Sequence, residues 1–372
     1  MDVDVIVIGA GIAGASVAAE LALDRSVLLL EAEDSPGYHT SGRSAATFIE
    51  NYGAPSVRAL SRASRAFLEH PPEDYGVESL TSPRGLIYAA TETELPMLEA
   101  ELNSSSSLEP LDLEGMAQLV PLLARGPCAA GAYERDASDI DVDMFLSGAL
   151  RAFKRRGGTL LTRSKVVASE RLGERWQIKT EDDSHSAMVV VNAAGAWGDK
   201  VAQTFGVQPI GLQPLRRSVG IVELSDDTVV EPDWPLIAGV GGNWYTKPEG
   251  RWLLASPADE TPSEACDAWP LDEDVAAGID ATCVALGVRP KRLHRSWAGL
   301  RTFAPDKNLV AGFDDQAEGF FWLVGQGGYG FQTGPAMAAA ASSLVCGLPL
   351  PDNLVAQGLD ADVLDPQRFR SR

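Results

Sequence analysis

The sequence predicts an α/β protein with two lobes: one carries a parallel nucleotide-binding sheet, and the other is α+β on a mainly antiparallel sheet. The chain has 372 residues, which is more than the roughly 100 to 200 residues of one ordinary domain. A glycine-rich turn connects the first apolar strand to a helix, as in parallel βαβ units. The runs at 176–179, 219–224 and 252–256 are typical of further strands.

The first strand and its turn form a nucleotide-binding fingerprint. Residues 4–8 are a β-branched run typical of a strand buried on both faces of a parallel sheet, and residues 15–23 are strongly helical. Between them, one glycine makes a tight turn, a second lets a pyrophosphate approach the backbone, and a third lets helix and strand pack closely. The helix N-terminus offers free N–H groups to an anion. We therefore expect dinucleotide contacts at Gly9, Gly11, Ile12, Ala13 and Gly14.

A second strand at residues 26–30 completes this unit. Glu31 stands at its end, 20 residues beyond Gly11, where a carboxylate accepts hydrogen bonds from a ribose, and Ala32 follows it. Strand, glycines, helix, strand and acidic residue in this order strongly indicate a dinucleotide. They do not distinguish NAD from FAD.

Charge and composition argue against several other classes of protein. A net charge of −21 leaves no basic face for nucleic acid or an anionic membrane. The cysteines form no CxxC pair and the histidines lack metal-ligand spacing, so we expect reduced thiols and no metal. The apolar opening at 5–23 follows acidic residues and is broken by glycines, so no membrane span is expected. A cytoplasmic monomer is the expectation.

Later motifs carry a family resemblance. They lie at 31–46, 194–197, 216–218, 297–301 and 325–330. The motif at 194–197 follows a predicted strand at 188–191, and the motif at 325–330 follows the apolar run at 320–324. In this order, over nearly the whole chain, they resemble the D-amino-acid oxidase superfamily of FAD enzymes, which includes glycine and sarcosine oxidases. The likeness is closest to the D-arginine dehydrogenase type.

The resemblance implies a Rossmann-type FAD-binding domain of the glutathione-reductase-like class. That discontinuous domain comprises residues 1–77, 140–207 and 300–372, and the substrate-binding domain comprises 78–139 and 208–299. FAD is expected to bind noncovalently, because no Cys or His adjoins residues 325–330. Residues 332–334 are expected to open the last helix. The further cofactor contacts it implies are Arg43, Ser44, Ala45, Ala46, Val166, Ala194, Gly195, Gly327, Gly328, Tyr329, Gly330, Phe331, Gln332 and Thr333.

The resemblance also implies a carboxylate-bearing substrate. A guanidinium fork meets both oxygens of a carboxylate at once. Arg217 and Arg301 match the family's carboxylate-binding positions, whereas Arg216 is expected to face outward. In the related enzymes tyrosines cover the substrate and a glycine carbonyl approaches its amine. The catalytic-site positions carried over are Tyr52, Arg217, Tyr245, Arg301 and Gly328.

Four pocket positions suggest which side chain the substrate bears. Leu86 stands where D-arginine dehydrogenase has an acidic residue, Thr47 replaces a histidine, and Ile49 replaces a threonine. An apolar residue cannot pair a buried cation, so D-arginine and D-lysine should be poor substrates. With Trp244 beside Tyr245, the pocket is expected to take an uncharged, hydrophobic or aromatic side chain.

The expected reaction is oxidative deamination of a D-amino acid to a 2-oxo acid and ammonia, with hydride transfer from Cα to flavin N5. The electron acceptor stays open among oxygen, a quinone and other acceptors. Two enzymatic alternatives share the fold: an FAD-dependent 2-hydroxy-acid dehydrogenase, and a biosynthetic tailoring enzyme acting on a larger amine or imine. A flavin-binding sensor without turnover is the non-enzymatic alternative.

Overall fold

The computed structural model describes residues 1–225 and 228–370. The strands are β1 (Asp2–Ile8), β2 (Val27–Leu30), β3 (Thr47–Phe48), β4 (Thr81–Pro83), β5 (Leu86–Thr91), β6 (Glu109–Asp112), β7 (Cys128–Glu134), β8 (Ser138–Ile140), β9 (Thr159–Leu161), β10 (Val166–Leu172), β11 (Arg175–Thr180), β12 (Ser184–Asn192), β13 (Gln213–Leu224), β14 (Leu236–Gly239), β15 (Tyr245–Glu249), β16 (Trp252–Ser256), β17 (Thr261–Pro262), β18 (Pro290–Phe303), β19 (Val310–Phe313) and β20 (Phe320–Val324). The helices are α1 (Ile12–Leu21), α2 (Pro55–Glu69), α3 (Leu95–Ser104), α4 (Leu113–Leu119), α5 (Val142–Arg155), α6 (Gly198–Thr204), α7 (Asp272–Leu286), α8 (Gly334–Val345) and α9 (Asp352–Ala356).

The nucleotide-binding side is built on sheet A, whose strand order is β10-β11-β12-β1-β2-β9, with β20 beside β12 and β19 beside β20. The central pairs β12-β1, β1-β2 and β2-β9 are parallel, and so is β12-β20. Parallel strands bring their carboxyl ends to one edge of a sheet, where α/β proteins bind ligands. Gly9, Glu31 and Ala193 therefore emerge side by side, after β1, β2 and β12.

Strand β1 is buried on both faces, as its composition predicts. Val5 and Val7 pack in the core that includes α1, α5 and α8, while Ile6 and Ile8 pack on the other face with Phe320 and Trp322 of β20. Full burial of such a side chain contributes about 1.5 to 3 kcal/mol. This two-sided packing fixes the position of the turn at the strand's end.

Most predicted elements are confirmed, with shifted ends. The strand at 320–324 is observed with those bounds, whereas β12 is longer than the predicted 188–191 because it pairs with β1 from Asp2 onward. Helix α1 begins at Ile12 and not at residue 15, since the amide of Ala15 already bonds the carbonyl of Gly11. The helix predicted to open at residues 332–334 is α8, which begins at Gly334 with Thr333 as its N-cap. It is not the last helix, because the short helix α9 follows it.

The other side is built on sheet B, with strand order β17-β13-β16-β15-β14-β5-β7-β6 and β18 beside β13. Its pairs are antiparallel except β5 with β14. The long strands β13 and β18 pair over almost their full length, and α7 packs on them. A small sheet of β3, β8 and β4 lies apart from both large sheets. The proposed domain boundaries stay a prediction.

Candidate active site

A cavity of about 1310 Å³ extends from the carboxyl edge of sheet A to sheet B. Its nucleotide end is lined by residues that follow β1, β2 and β12, and its other end by residues of β5, β13, β14, β15 and β18. The two ends are therefore formed by opposite lobes of the chain. A long ligand can lie along sheet A while a smaller molecule meets its far end at sheet B.

At the nucleotide end, glycines replace side chains where the backbone must come close. Gly9 has φ +100, and a Cβ there would lie 2.6 Å from the carbonyl oxygen of Ala193. A Cβ on Gly14 would collide with the Gly9 carbonyl oxygen. Helix α1 can approach the end of β1 because Gly14 lacks a side chain, and the turn can approach the backbone after β12 because Gly9 lacks one. Gly14 thus acts by packing and does not line the cavity.

The donors and acceptors here fit a dinucleotide. Gly11 is the N-cap of α1 and lacks a side-chain cap, so the first turn presents amides toward the cavity. Glu31 is buried and accepts one hydrogen bond on each oxygen, from Ala10 N at 2.8 Å and Glu33 N at 2.9 Å. A carboxylate accepts about four hydrogen bonds, so capacity remains for ribose hydroxyls.

Ser41 is a residue at this end that sequence reasoning missed. Its Oγ accepts a hydrogen bond from Ile12 N at 3.0 Å, at the opening of α1, and it lines the cavity. Its hydroxyl therefore stands where a phosphate would meet the helix N-terminus. The signal was present in the sequence, because Ser41 lies within the 31–46 motif, two residues before Arg43.

The structure brings most predicted cofactor residues together at the cavity wall. The lining residues among them are Gly9, Gly11, Ile12, Ala13, Glu31, Ala32, Arg43, Ser44, Ala45, Ala46, Val166, Ala194, Gly195, Gly327, Gly328, Gly330, Phe331 and Gln332. Tyr329 and Thr333 do not line it. Tyr329 instead packs edge-on against Tyr52, and the Thr333 hydroxyl bonds the Tyr329 carbonyl oxygen.

Two lining residues use their side chains elsewhere, which corrects the roles expected of them. The Arg43 guanidinium pairs with Asp267 and donates to the carbonyls of Ala268 and Ala298, so Arg43 offers a cofactor its backbone only. Gln332 accepts from Ile49 N at 3.2 Å and donates to Ser61 Oγ at 2.9 Å. Both side chains fix loops that border the cavity.

The substrate end is defined by two arginines on neighbouring strands. Arg217 on β13 lies opposite Gly299 on β18, and Arg301 is two residues further along β18. Residues two apart on a strand share a face, so both guanidinium groups emerge on the same side of sheet B, and both line the cavity. Arg216 points away and pairs with Asp274 at 3.1 Å, so it is partly buried under α7 and not outward-facing as expected.

The two guanidinium groups have few negatively charged side chains beside them. Arg217 donates from Nε to the Asp259 carbonyl at 2.8 Å and lies 3.5 Å from Glu260. Burial, and after it the nearby Arg301, lowers the pKa of Arg217. Among the described residues, the only hydrogen bond from the Arg301 guanidinium is to the Tyr52 hydroxyl, at 3.4 Å. Two neighbouring cations in a shielded cavity favour an anionic ligand.

Tyrosines border this anion site. Tyr245 lies beside Arg217, with the guanidinium carbon 5.9 Å from its ring centre. Tyr52 is 36% exposed and sits on a loop that Glu134 holds by accepting from Asn51 N at 3.3 Å. Burial raises the pKa of Glu134. Tyr52 is thus positioned at the rim between the arginines and solvent.

Gly328 is packed directly against Arg301. A Cβ at Gly328 would lie 2.9 Å from the guanidinium carbon and 3.0 Å from Nε and Nη1. The absence of a side chain therefore allows Arg301 its present position.

An apolar wall faces the arginines. Leu86 is buried and clusters with Ile49, Leu236 and Tyr245. Thr47 and Trp244 line the same cavity. All four predicted pocket positions therefore line the cavity, and two of them, Ile49 and Leu86, belong to one apolar cluster. The Thr47 hydroxyl is buried without a hydrogen-bond partner in the described structure.

Sequence reasoning did not identify several charged and aromatic residues that line the cavity. Among them are Arg58, Tyr88, Glu101 and Glu260. Tyr88 could have been found, because it shares a strand face with Leu86. Arg58 and Glu101 lie on helices α2 and α3, where charged residues are usually solvent-facing, and their positions depend on tertiary packing.

Residues 1–225 and 228–370 contain neither a candidate membrane-spanning helix nor a candidate metal-binding cluster. No helix there is long and apolar enough to cross a membrane. No group of three or more His, Cys, Asp or Glu side chains there could hold a metal ion.

Comparison with known proteins agrees with this geometry. A family model described as FAD dependent oxidoreductase (DAO) matches residues 4–344. Dimethylglycine dehydrogenase from human mitochondria is 25% identical over 284 residues, which are 72% of this chain and 32% of the relative. The chain thus spans about a third of that relative's length.

Solved structures share the fold. Glycine oxidase from Geobacillus kaustophilus superposes with a TM-score of 0.80 at 20% identity, covering 93% of this chain and 95% of its own. L-α-glycerophosphate oxidase from Mycoplasma pneumoniae, solved with FAD bound, has a TM-score of 0.80 at 16% identity, with the same coverage of 93% and 95%.

These matches decide between NAD and FAD, which the glycine-rich fingerprint alone does not distinguish. The predicted α/β fold, with a nucleotide-binding sheet and a second, mainly antiparallel sheet, is confirmed. The family match covers most of the chain, and the glycine turn, Glu31 and the α1 N-terminus supply a fitting dinucleotide site. The chain belongs to the FAD dependent oxidoreductase family, and its cofactor is FAD.

Proposed function

We propose that this enzyme oxidatively deaminates D-amino acids with uncharged side chains to 2-oxo acids and ammonia. The observation that carries the proposal is the pair Arg217 and Arg301, on one face of sheet B and without a full set of protein acceptors. Such a pair suits an α-carboxylate. The names of the relatives support an amino-group substrate, since they include glycine oxidase and dimethylglycine dehydrogenase. The D configuration rests on the resemblance of the catalytic-site positions, such as Tyr52, Tyr245 and Gly328, to the D-arginine dehydrogenase type.

The protein's contribution is binding and orientation. Arg217 and Arg301 hold the carboxylate, and Tyr52 and Tyr245 cover it, which limits the rotation of the bound amino acid. The Gly328 carbonyl is the proposed acceptor for the amine. FAD, when bound, supplies the two-electron acceptor for oxidation at Cα. Its binding is proposed to be noncovalent, so acid precipitation should release all flavin from the protein.

The apolar wall selects the side chain. Leu86 is 1% exposed and has apolar neighbours, so a cationic side chain at that depth would lose its hydration without gaining a counter-ion. D-Leucine, D-methionine and D-phenylalanine are therefore the proposed kind of substrate. D-Arginine and D-lysine are expected to be poor.

Gly328→Ala tests the close contact with Arg301. Because the new Cβ would lie 2.9 Å from the guanidinium carbon, Arg301 must move, and KM should rise between roughly tenfold and a hundredfold. Steady-state kinetics with D-leucine measures this. Flavin content per chain serves as the internal control and should stay unchanged, whereas an unchanged KM would show that Arg301 does not bind the substrate.

An anaerobic substrate panel tests the proposed function. The purified holoenzyme is mixed with D- and L-amino acids, and flavin reduction is followed by loss of its visible absorbance. Bleaching by D-leucine but not L-leucine, and faster than by D-arginine, is expected. In Leu86→Glu the D-arginine to D-leucine ratio of kcat/KM should rise by roughly tenfold or more, because the new carboxylate pairs the guanidinium.

The panel has outcomes that reject the proposal. Bleaching by 2-hydroxy acids alone would favour a hydroxy-acid dehydrogenase, whose substrates bring the same carboxylate to Arg217 and Arg301. Bleaching only by L-amino acids would overturn the D configuration. No bleaching by any amine or hydroxy acid would favour a flavin-binding protein without turnover.

A further inference from the structure

We propose that the substrate cavity ends in a second polar subsite that takes a side chain terminating in both an ammonium and a carboxylate group. This distal subsite consists of Arg58, Tyr88 and Glu101. The inference rests on the proposed function, because it assumes that the α-carboxylate of the amino acid is held at Arg217 and Arg301. It refines that function by naming the far end of the substrate.

The first support is the continuation of the cavity beyond Leu86. Leu86 and Tyr88 lie on the same face of β5, about 7 Å apart, and both line the cavity. Their partners on the adjacent strand β14 are Leu236 and Ala238. The smaller side chain of Ala238 fills less space beside Tyr88 than Leu236 fills beside Leu86. Beyond it, residues 239–242 contribute three glycines to the lining, so the pocket stays open past the apolar wall.

The second support is a pair of opposite charges without partners. Arg58 donates from Nε to the Gly53 carbonyl at 3.0 Å, but no carboxylate in the described structure lies within 4.0 Å of its terminal nitrogens. Glu101 likewise has no ion pair or hydrogen bond there, although it too lines the cavity. By contrast, Arg65 on the same helix as Arg58 pairs with Glu50 at 2.9 Å. Unpaired charges facing a partly shielded cavity are suited to bind a charged ligand.

Tyr88 adds a neutral donor near these charges, since both Glu101 and Arg58 influence its pKa. Burial, followed by the nearby Glu134 and Glu101, raises the pKa of Tyr88 well above its ordinary value, so the phenol keeps its proton. Its hydroxyl has no hydrogen-bond partner in residues 1–225 and 228–370. A carboxylate at Arg58 and an ammonium at Glu101 would both be within the reach of such a group.

The order of the two subsites explains why a charge at Leu86 is unfavourable and a charge further out is favourable. A short cationic side chain, as in D-lysine, ends against the apolar wall. A longer aliphatic chain crosses that wall and places its terminal groups at the distal subsite. The favoured ligand is thus a long D-amino acid with an aliphatic middle and a zwitterionic end.

The test compares eleven-carbon D-amino acids that differ only at the far end, because D-lysine, with its ammonium on C6, is too short to pass the apolar wall. D-2-Aminoundecanoate ends in a methyl group, and its analogues of equal length end in a carboxylate, in an ammonium, or in both, as in D,D-2,10-diaminoundecanedioate. With the holoenzyme, kcat/KM for the last compound should exceed that for the methyl-ended one by roughly tenfold or more. Each compound is also titrated anaerobically as a ligand, and its Kd is read from the shift of the flavin absorbance.

Variants assign the effect to the two charges. Glu101→Gln should lower the preference for ammonium-bearing ends by roughly tenfold, and Arg58→Gln should do so for carboxylate-bearing ends. Arg58→Lys keeps the charge and should retain most of that preference, which separates charge from the hydrogen bond to Gly53. Glu99→Gln on α3 and Arg62→Gln on α2 are matched controls outside the cavity and should change nothing.

The outcomes separate the two proposals. Turnover of the methyl-ended compound, with no preference for charged ends or no effect of the Glu101 and Arg58 variants beyond their controls, overturns the distal subsite and leaves the proposed function intact. If no D-amino acid is oxidised, the proposed function fails, and the Kd series still decides whether the zwitterionic end binds best. Absence of both turnover and binding overturns both.

Discussion

Replacing Arg301 by alanine is expected to lower kcat/KM for D-leucine by roughly 150-fold. Loss of a buried charged partner costs about 3 kcal/mol in comparable pairs. Arg301 makes one weak protein contact, to Tyr52, so most of its hydrogen-bonding capacity is free for the substrate. Anaerobic stopped-flow reduction of the flavin, at several substrate concentrations, measures the change.

Two further variants control this experiment. Arg301→Lys keeps the charge but loses the planar fork, so it should show an intermediate loss of roughly tenfold. Arg295→Ala lies on the same strand, β18, with an exposed side chain that pairs with Glu249, and should leave kcat/KM unchanged. A normal kcat/KM in Arg301→Ala would remove the carboxylate site from this part of the cavity.

Replacing Gly9 by alanine should abolish stable FAD binding. An L-residue at φ +100 is strained, and the added Cβ would lie 2.6 Å from the backbone oxygen of Ala193, so β1 and β12 must separate where the cofactor lies. A cost of about 3 kcal/mol or more is expected, which weakens FAD at least roughly a hundredfold. The ratio of flavin to protein absorbance after gel filtration measures it, with Tm recorded in parallel.

Gly173→Ala is the matched control. Gly173 also has a positive φ, +61, but a Cβ there meets no atom within 4 Å. It lies in the turn between β10 and β11, far from the glycine-rich turn in sequence. This substitution should lower the free energy of unfolding by only about 1 kcal/mol through backbone strain, and the variant should keep its flavin. Full flavin content in Gly9→Ala would contradict the placement of the cofactor.

The parts of the site that could be predicted from sequence are those determined locally. The turn at residues 9–14 follows from glycine stereochemistry and the flanking apolar strand, so its conformation needs no distant partner. Arg217 and Arg301 were found only through a family resemblance, since they meet by the pairing of β13 with β18 across more than 80 positions of the chain. Composition alone would have placed them at the surface.

The remaining residues could not be assigned from sequence for physical reasons. Arg58 and Glu101 have the spacing of exposed helical residues, and only packing directs them to the cavity. Arg43 lines the cavity, but its guanidinium binds Asp267 and two carbonyls that lie more than 200 positions away. A long side chain can pair with any suitable group within its reach, and a linear motif does not specify which groups those are.

The contacts of residues 40–43 with β18 join the two ends of the cavity. Thr40 Oγ1 donates to the Leu300 carbonyl at 2.8 Å, Arg43 donates to the Ala298 carbonyl at 3.0 Å, and Trp297 donates back to the Arg43 carbonyl at 3.0 Å. The strand that presents Arg301 is thereby tied to the segment that borders the dinucleotide. We therefore expect occupancy of one compartment to stiffen the other. By thermodynamic reciprocity, an amino-acid analogue should then tighten the binding of FAD by the same factor by which FAD tightens the binding of the analogue.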